Sequence, residues 1–600
     1  MIRSTAVLLV LLVNAFSGDN RTAHHPGSAR ELVGLWYARD RFGPDIRGPL
    51  ILQRGGGQWI AEVAGRRVTV GRQGDTLSFE LPNGEGGFRG HLSRDRSRIE
   101  GHWIQPVTVN TGARFASPLT LTMERSLSGF CPAAPLPRCL ASGEIRPLDD
   151  VFTFYLKIDQ QPDGSTGAFL VNPERNLGRL MRVDRIELNG ERVRLLSRRQ
   201  GADTTQVILT GTYRDSVITV AVPGRGGSYD FRRVAPDSAT DFYPRGRPTV
   251  AYHYLPPPAL GDGWPTGTPA QVGISPDSIQ RFIKMISDMP MDSLSVPQIH
   301  GLLIARHGRL VLEEYFHGAH RDQPHDLRSA AKSLTSVLIG AAIQSGVPLS
   351  PDSRVYKVMN SGTFPAGLDS RKRALTLEHL LTMSSGLDCD DSNDESPGNE
   401  NTMQSQTGQP DWYRFILDLK NIRDPGQLSV YCSINPHLAG GVLAHAAGRP
   451  LAELFHDLVA QPLAIRRYYL FLAPLGEAYM GGGVRLLPRD FMKLGQLMLN
   501  DGTWKGKRVL SRDWVRRSTD PKHQIGNSKY GYLWWITDYP YRGGTVRAYY
   551  ASGNGGQYVI VVPELDLVVA FYGGNYADSP ARIPQQEWMP KFVLPAVSGT

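Results

Sequence analysis

Ser329 and Lys332 are three residues apart, at the head of an apolar run rich in small residues, Ser329 to Ile343. That composition predicts a buried helix, and positions i and i+3 share a helix face, so the amine can reach the hydroxyl. A serine hydroxyl is a poor nucleophile until a base takes its proton. Burial and the positive end of the helix are both expected to push the lysine pKa down and make it such a base. The same helix end offers backbone N–H groups to an oxyanion. No other S-x-x-K occurs in the chain, and lysine is rarely buried without a purpose.

Two further stretches can complete a site. Tyr431-Cys432-Ser433 precedes a second helical pattern that begins near Leu438. A loop tyrosine beside a polar residue can shuttle a proton to a leaving group. Ser552-Gly553-Asn554-Gly555-Gly556-Gln557 leads into the strand pattern Tyr558 to Val562. Glycines there let a substrate lie against backbone. Other hydrolase chemistries lack their signatures. There is no G-x-S-x-G elbow, no H-E-x-x-H and no G-x-x-x-x-G-K-[ST] loop. Cys131, Cys139, Cys389 and Cys432 have no zinc-type spacing. No metal and no cofactor is called for.

These residues need elements to position them. The chain has 600 residues, too many for one core, and its 41% hydrophobic and 20% charged content is that of a globular protein. Residues 30–245 read as all-β, a barrel or sandwich, with alternating short strands and glycine turns. Two repeats are suggested, about 30–130 and 150–235, each with a glycine next to aromatic side chains late in the unit (Gly101-His102-Trp103; Gly211-Thr212-Tyr213). Trp36, Trp59 and Trp103 read as strand-core residues rather than sugar platforms. Residues 246–268, with Pro256-Pro257-Pro258, read as a stiff linker. Residues 269–595 mix helices and strands as an α/β or α+β domain.

Residues 1–17 read as a signal peptide: Arg3, the apolar Ala6 to Phe16, and Ala15-Phe16-Ser17 as a cleavage site. That implies export to a periplasmic or extracellular space, with no membrane span retained. Four cysteines in an exported chain permit two disulfides. Cys131 and Cys139 flank a proline-rich loop and could close a small ring; Cys389 and Cys432 pair only if the fold joins them. The formal charge is +9, but the arginines are scattered and no nucleic-acid motif accompanies them, so a nucleic-acid partner is not expected.

The three elements, in this order, resemble the penicillin-recognising serine hydrolases: class C β-lactamases, DD-peptidases and related esterases and amide hydrolases. His379 to Gly386, Gly481 to Arg485 and Tyr530 to Trp535 match further stretches of that family. The resemblance implies an antiparallel sheet flanked by helices with an all-helical lobe. It implies Ser329 as the acylated nucleophile, Lys332 as base or relay, and Tyr431 as partner in proton transfer. The oxyanion would lie between the backbone N–H groups of Ser329 and Gln557, with Ser433, Asn554, Gly555 and Gly556 against the substrate. A Cys389–Cys432 disulfide at the cleft follows from the same resemblance. Ser433 stands where the family usually has Asn, and Asn554 where it has Lys or His. The missing charge argues for a neutral ester or amide, small molecule or short peptide, as in the esterases and 6-aminohexanoate-dimer hydrolases, rather than a β-lactam. The competing reading is a catalytically weak penicillin-binding or sensing protein of the same fold.

Overall fold

A computed structural model describes residues 29–55, 58–109, 112–123, 139–175, 181–198, 204–246 and 251–598. The signal-peptide segment and Cys131, with its expected partnership with Cys139, lie outside the described residues.

The N-terminal region forms two closed antiparallel barrels of eight strands each. One takes its strands from Gly48–Gly55 through Cys139–Ile145, the last pairing with both Gly48–Gly55 and the end of Arg114–Met123. The other joins Gly34–Arg41 to the strands from Val151–Gln160 through Gly227–Arg233. This departs from the expected division at 30–130 and 150–235. The first strand pairs along its whole length with Val151–Gln160, and its Trp36 is fully buried in that second core beside Phe154, Leu156 and Ile158. Gly101 and Gly211 each lie in the sixth strand of their barrel in chain order. A Cβ would come within 2.2 Å of Arg89 O at Gly101 and 2.1 Å of Thr219 O at Gly211, so both mark a close strand approach. Trp59 and Trp103 are core residues of the Gly48–Ile145 barrel.

The first barrel does not stop at its own edge. Arg114–Met123 pairs at its near end with Tyr468–Leu472, which pairs with Arg485–Leu486, which pairs with His325–Asp326. A hydrogen-bonded ladder thus runs from the barrel to within three residues of Ser329. Residues 251–268 of the expected linker are packed on the hydrolase domain. Tyr254 Oη donates to Val311 O at 2.7 Å, and Arg489 donates to Pro258 O at 3.0 Å and Asp262 at 3.1 Å, fastening it along the hydrolase domain.

That domain is built on an eight-stranded antiparallel sheet. At its centre Gln557–Val562 is buried on both faces: Tyr558, Ile560 and Val562 join one apolar cluster and Val559 and Val561 the other. The period-two alternation of a strand sends neighbours to opposite faces. Pro276–Ser287 and the C-terminal Pro584–Val593 cover one face, through Phe282 and Trp588. Pro488–Leu499 and Ala331–Gln344 cover the other, and Ile434–Ala447 and several short helices extend it into a helical lobe. Among the described residues no helix is long and apolar enough to cross a membrane.

Candidate active site

Ser329 sits half-buried in the one-turn helix Arg328–Ala330 that leads into Ala331–Gln344. The turn is held from both sides. Asp326 Oδ1 accepts from Arg328 N at 3.1 Å, and Leu327 N donates to Val484 O at 3.0 Å. Arg328 has φ +48°, a left-handed conformation that costs a non-glycine residue energy and gathers at functional sites.

Lys332, 2% exposed, donates to Ser329 Oγ at 2.8 Å and to Gly481 O at 2.6 Å. Its ammonium lies 5.0 Å from the ring centroid of Tyr431. Tyr431 in turn stacks on Trp535 with centroids 5.7 Å apart. The expected depression of the lysine pKa is not what this environment produces. Burial pushes it down, but Tyr431, Glu400 and Asp391 outweigh burial and raise it above its ordinary value. An ammonium has three donors; Ser329 Oγ and Gly481 O accept two of them.

The carboxylates responsible come from residues 388–401. Residues 392–395, Pro397 and Asn401 are its exposed positions, and Asp391 and Glu400 are partly buried. Asp391 Oδ2 accepts from Ser433 N at 2.7 Å and Ser433 Oγ at 2.6 Å, and Glu400 Oε1 accepts from Tyr479 Oη at 2.7 Å. Burial, then Glu400, push the Asp391 acid up, against the opposing pull of Lys332. The loop is pinned by the Cys389–Cys432 disulfide, with Cα atoms 6.0 Å apart, and by Asp391 N donating to Tyr431 O at 3.0 Å. Ser433 is fully buried and spends its hydroxyl on Asp391 and Glu400. It positions these acids and does not face a substrate, contrary to the expectation.

The opposite lip is the end of strand Gly544–Gly553 and its turn. Gly553 pairs with Gln557 and lies so close to the nucleophile that a Cβ there would be 2.2 Å from Leu327 O. Gly555 and Gly556 have φ of +98° and +97°, open to glycine and strained for any other residue. The Gln557 side chain is buried and clamps Gly573, donating to its carbonyl at 2.7 Å, so only its backbone can serve an oxyanion. Asn554 is exposed, its Oδ1 accepting from Ala577 N at 2.7 Å. Ser329, Lys332, Tyr431 and Gly481 thus converge on one side and the 553–557 turn on the other. Asp391, Glu400 and Tyr479 were given no site role from the sequence, whereas Gly481 opens the Gly481 to Arg485 stretch matched there. The one signal for the acids was the density of Asp, Glu and Asn between the two cysteines. Among the described residues no group of three or more His, Cys, Asp or Glu is arranged to hold a metal ion.

Residues 297–574 match the family model described as Beta-lactamase. A 6-aminohexanoate-dimer hydrolase of Paenarthrobacter ureafaciens is 26% identical over 220 residues, 36% of this chain. That match spans only about half, 55%, of the relative's own length. Among solved structures, EstCE1, a hydrolase with promiscuous acyltransferase activity, aligns at TM-score 0.42 and 17% identity over 54% of this chain and 99% of its own. A penicillin-binding protein homologue from Caulobacter crescentus aligns at 0.39 and 15% identity over 50% and 93%. Residues 297–574 thus carry a Beta-lactamase domain match, consistent with the penicillin-recognising serine hydrolases.

Proposed function

We propose that this protein is an exported serine acyl-hydrolase that works through an acyl-Ser329 intermediate on an ester or amide. The observation that carries the reading is the 2.8 Å contact of Lys332 Nζ with Ser329 Oγ, with the Tyr431 ring centroid 5.0 Å from the same ammonium. Lys332 donates to Ser329 Oγ and orients it, and Lys332 and Tyr431 act as one proton-sharing pair. That pair takes the serine proton as Oγ attacks the carbonyl carbon, with Tyr431 as the member that faces the leaving group. The tetrahedral oxyanion sits on the backbone N–H groups of Ser329 and Gln557. Tyr431 returns its proton to the leaving alcohol or amine as the C–O or C–N bond breaks, leaving the acyl ester on Ser329. Water repeats the sequence and releases the acid. The Cys389–Cys432 disulfide supports an oxidising compartment.

The test is covalent labelling with a fluorophosphonate, followed by intact mass and turnover of p-nitrophenyl esters beside nitrocefin. The wild-type chain gains one phosphonyl group and hydrolyses the esters faster than nitrocefin, and Ser329→Ala does neither. Equal labelling of the two proteins would sink the assignment.

A further inference from the structure

At Ser433 one hydroxyl meets two acids. Its Oγ is 2.6 Å from Asp391 Oδ2 and 3.1 Å from Glu400 Oε2. Both are hydrogen-bond distances, and each bond needs a proton. A serine hydroxyl carries one, and two ionised carboxylates carry none. One contact would then set oxygen lone pairs against each other beside a fully buried side chain, where an unmet polar contact is costly.

The remaining bonds show where a second proton belongs. Asp391 is met by donors on both oxygens: Glu400 N reaches Oδ1 at 3.0 Å, and Ser433 N reaches Oδ2 at 2.7 Å. Donors to an acid favour its ionised form. Glu400 Oε1 accepts from Tyr479 Oη at 2.7 Å and from Gln404 Nε2 at 3.2 Å. Among the described residues, its Oε2 has Ser433 Oγ as its hydrogen-bond partner and no other. A proton on Oε2 completes the row. Glu400 Oε2 then donates to Ser433 Oγ, and Ser433 Oγ donates to Asp391 Oδ2, with one hydrogen in each bond. Burial and the nearness of Glu400 push the Asp391 acid up, so loss of both protons from the two acids is resisted. The groups facing them are Lys332, Arg328, Tyr431 and Tyr479. Of the two cations, Arg328 is paired with Asp326 at 3.0 Å.

We propose that Asp391 and Glu400 hold one proton between them through Ser433, carried on Glu400 Oε2, and that they are positioning residues for the Lys332–Tyr431 pair. That pair must shed a proton before it can take one from Ser329, and each carboxylate charge behind it makes the loss harder. A neutral Glu400 leaves one such charge instead of two. The consequence for turnover rests on the acyl-serine reading; the proton count does not.

Infrared spectra of the full chain, disulfide intact, read the proton directly. At neutral pH the wild type minus Glu400→Gln difference shows the carbonyl stretch of a protonated carboxylic acid, shifted in D2O. The wild type minus Asp391→Asn difference shows carboxylate bands. Carboxylate bands alone in the Glu400→Gln difference overturn the proposal, and so does an acid band that Asp391→Asn abolishes and Glu400→Gln leaves. Should the glutamine variant not fold, Ser433→Ala decides: losing the bridge must move or abolish the acid band, and no change refutes the sharing. Turnover of a p-nitrophenyl ester tests the role. Asp391→Asn moves the acid limb of kcat/KM to lower pH, whereas Glu400→Gln, a neutral donor in place of a neutral donor, leaves the limb where it is. A shift in Glu400→Gln as large as that in Asp391→Asn means a charged Glu400 and overturns the proposal. Glu400→Ala loses about tenfold in kcat, and a glutamine there must restore most of it; equal losses in both variants refute the donor role. If no ester is turned over, the acyl-serine reading fails on its own, and the infrared result still decides the shared proton.

Discussion

Replacing Gly553 with alanine puts a methyl group into the backbone of the nucleophile turn. Its Cβ would lie 2.2 Å from Leu327 O, 2.9 Å from Ala330 N and 3.2 Å from the Gln557 Cβ. The two nearest atoms are backbone, so no rotamer change relieves the clash. To reach the 3.0 Å below which such contacts essentially do not occur, strand and turn must part by about 0.8 Å. Gly553 is not among the residues with positive φ, so sterics alone carry the effect. Overpacking of this kind costs about 1–3 kcal/mol of stability. The kinetic effect is larger in proportion, because the shift moves Ser329 against the Gln557 backbone, and a misplacement of about 1 Å costs on the order of a hundredfold in rate. The assay is kcat for a p-nitrophenyl ester together with the thermal midpoint of the same preparation. A kcat within twofold of wild type, in a protein that melts where the wild type melts, refutes the idea that this strand end sets the oxyanion geometry.

The acids behind Lys332 set a second expectation. Asp391→Asn keeps acceptors for Ser433 but removes a charge that raises the lysine pKa, so the alkaline limb of kcat/KM moves to lower pH. A limb that stays in place excludes Asp391 from the proton balance. The Asp326 acid is held at about 2 by Arg328, Arg485 and Arg175 against burial, below its unfolded value. Its contribution to stability is complete above the usual carboxylate range and is lost as pH falls through about 2. Urea unfolding of wild type and Asp326→Asn should therefore give stabilities that converge as pH drops from 5 to 2, and a constant gap counts against the ion cluster. Paired serines at Cys389 and Cys432, 43 residues apart, remove a loop-closure contribution of about 4 kcal/mol. They also release the Asp391 loop from Tyr431, so urea unfolding and ester turnover should both suffer. Full activity in a merely less stable protein would separate the two effects.

Much of the site was legible because its first contact is local. Ser329 and Lys332 are brought together by one helical turn, which three residues of spacing already specify. Strands were legible from alternation, and the helix from its run of small apolar residues. The assignment of Gly34–Arg41 to the later barrel was not, because nothing local to a strand states which distant strand it will pair with. Ser433 shows the same limit: its place beside Tyr431 suggested a cleft residue, and the fold turned it toward two acids from another loop.

The sequence by itself thus determined the chemistry available: a serine, a lysine one turn on, a tyrosine, and a glycine turn that admits close backbone approach. The tertiary structure decided the charge state of that chemistry. Whether Lys332 is amine or ammonium depends on the balance between burial and the acids at 391 and 400, and electrostatic energy depends on distance in space rather than along the chain. For the same reason the sequence could place Arg175 in a β region, but only the docking of that barrel on Gln298 and His300 set its guanidinium 4.7 Å from the Tyr576 ring centroid.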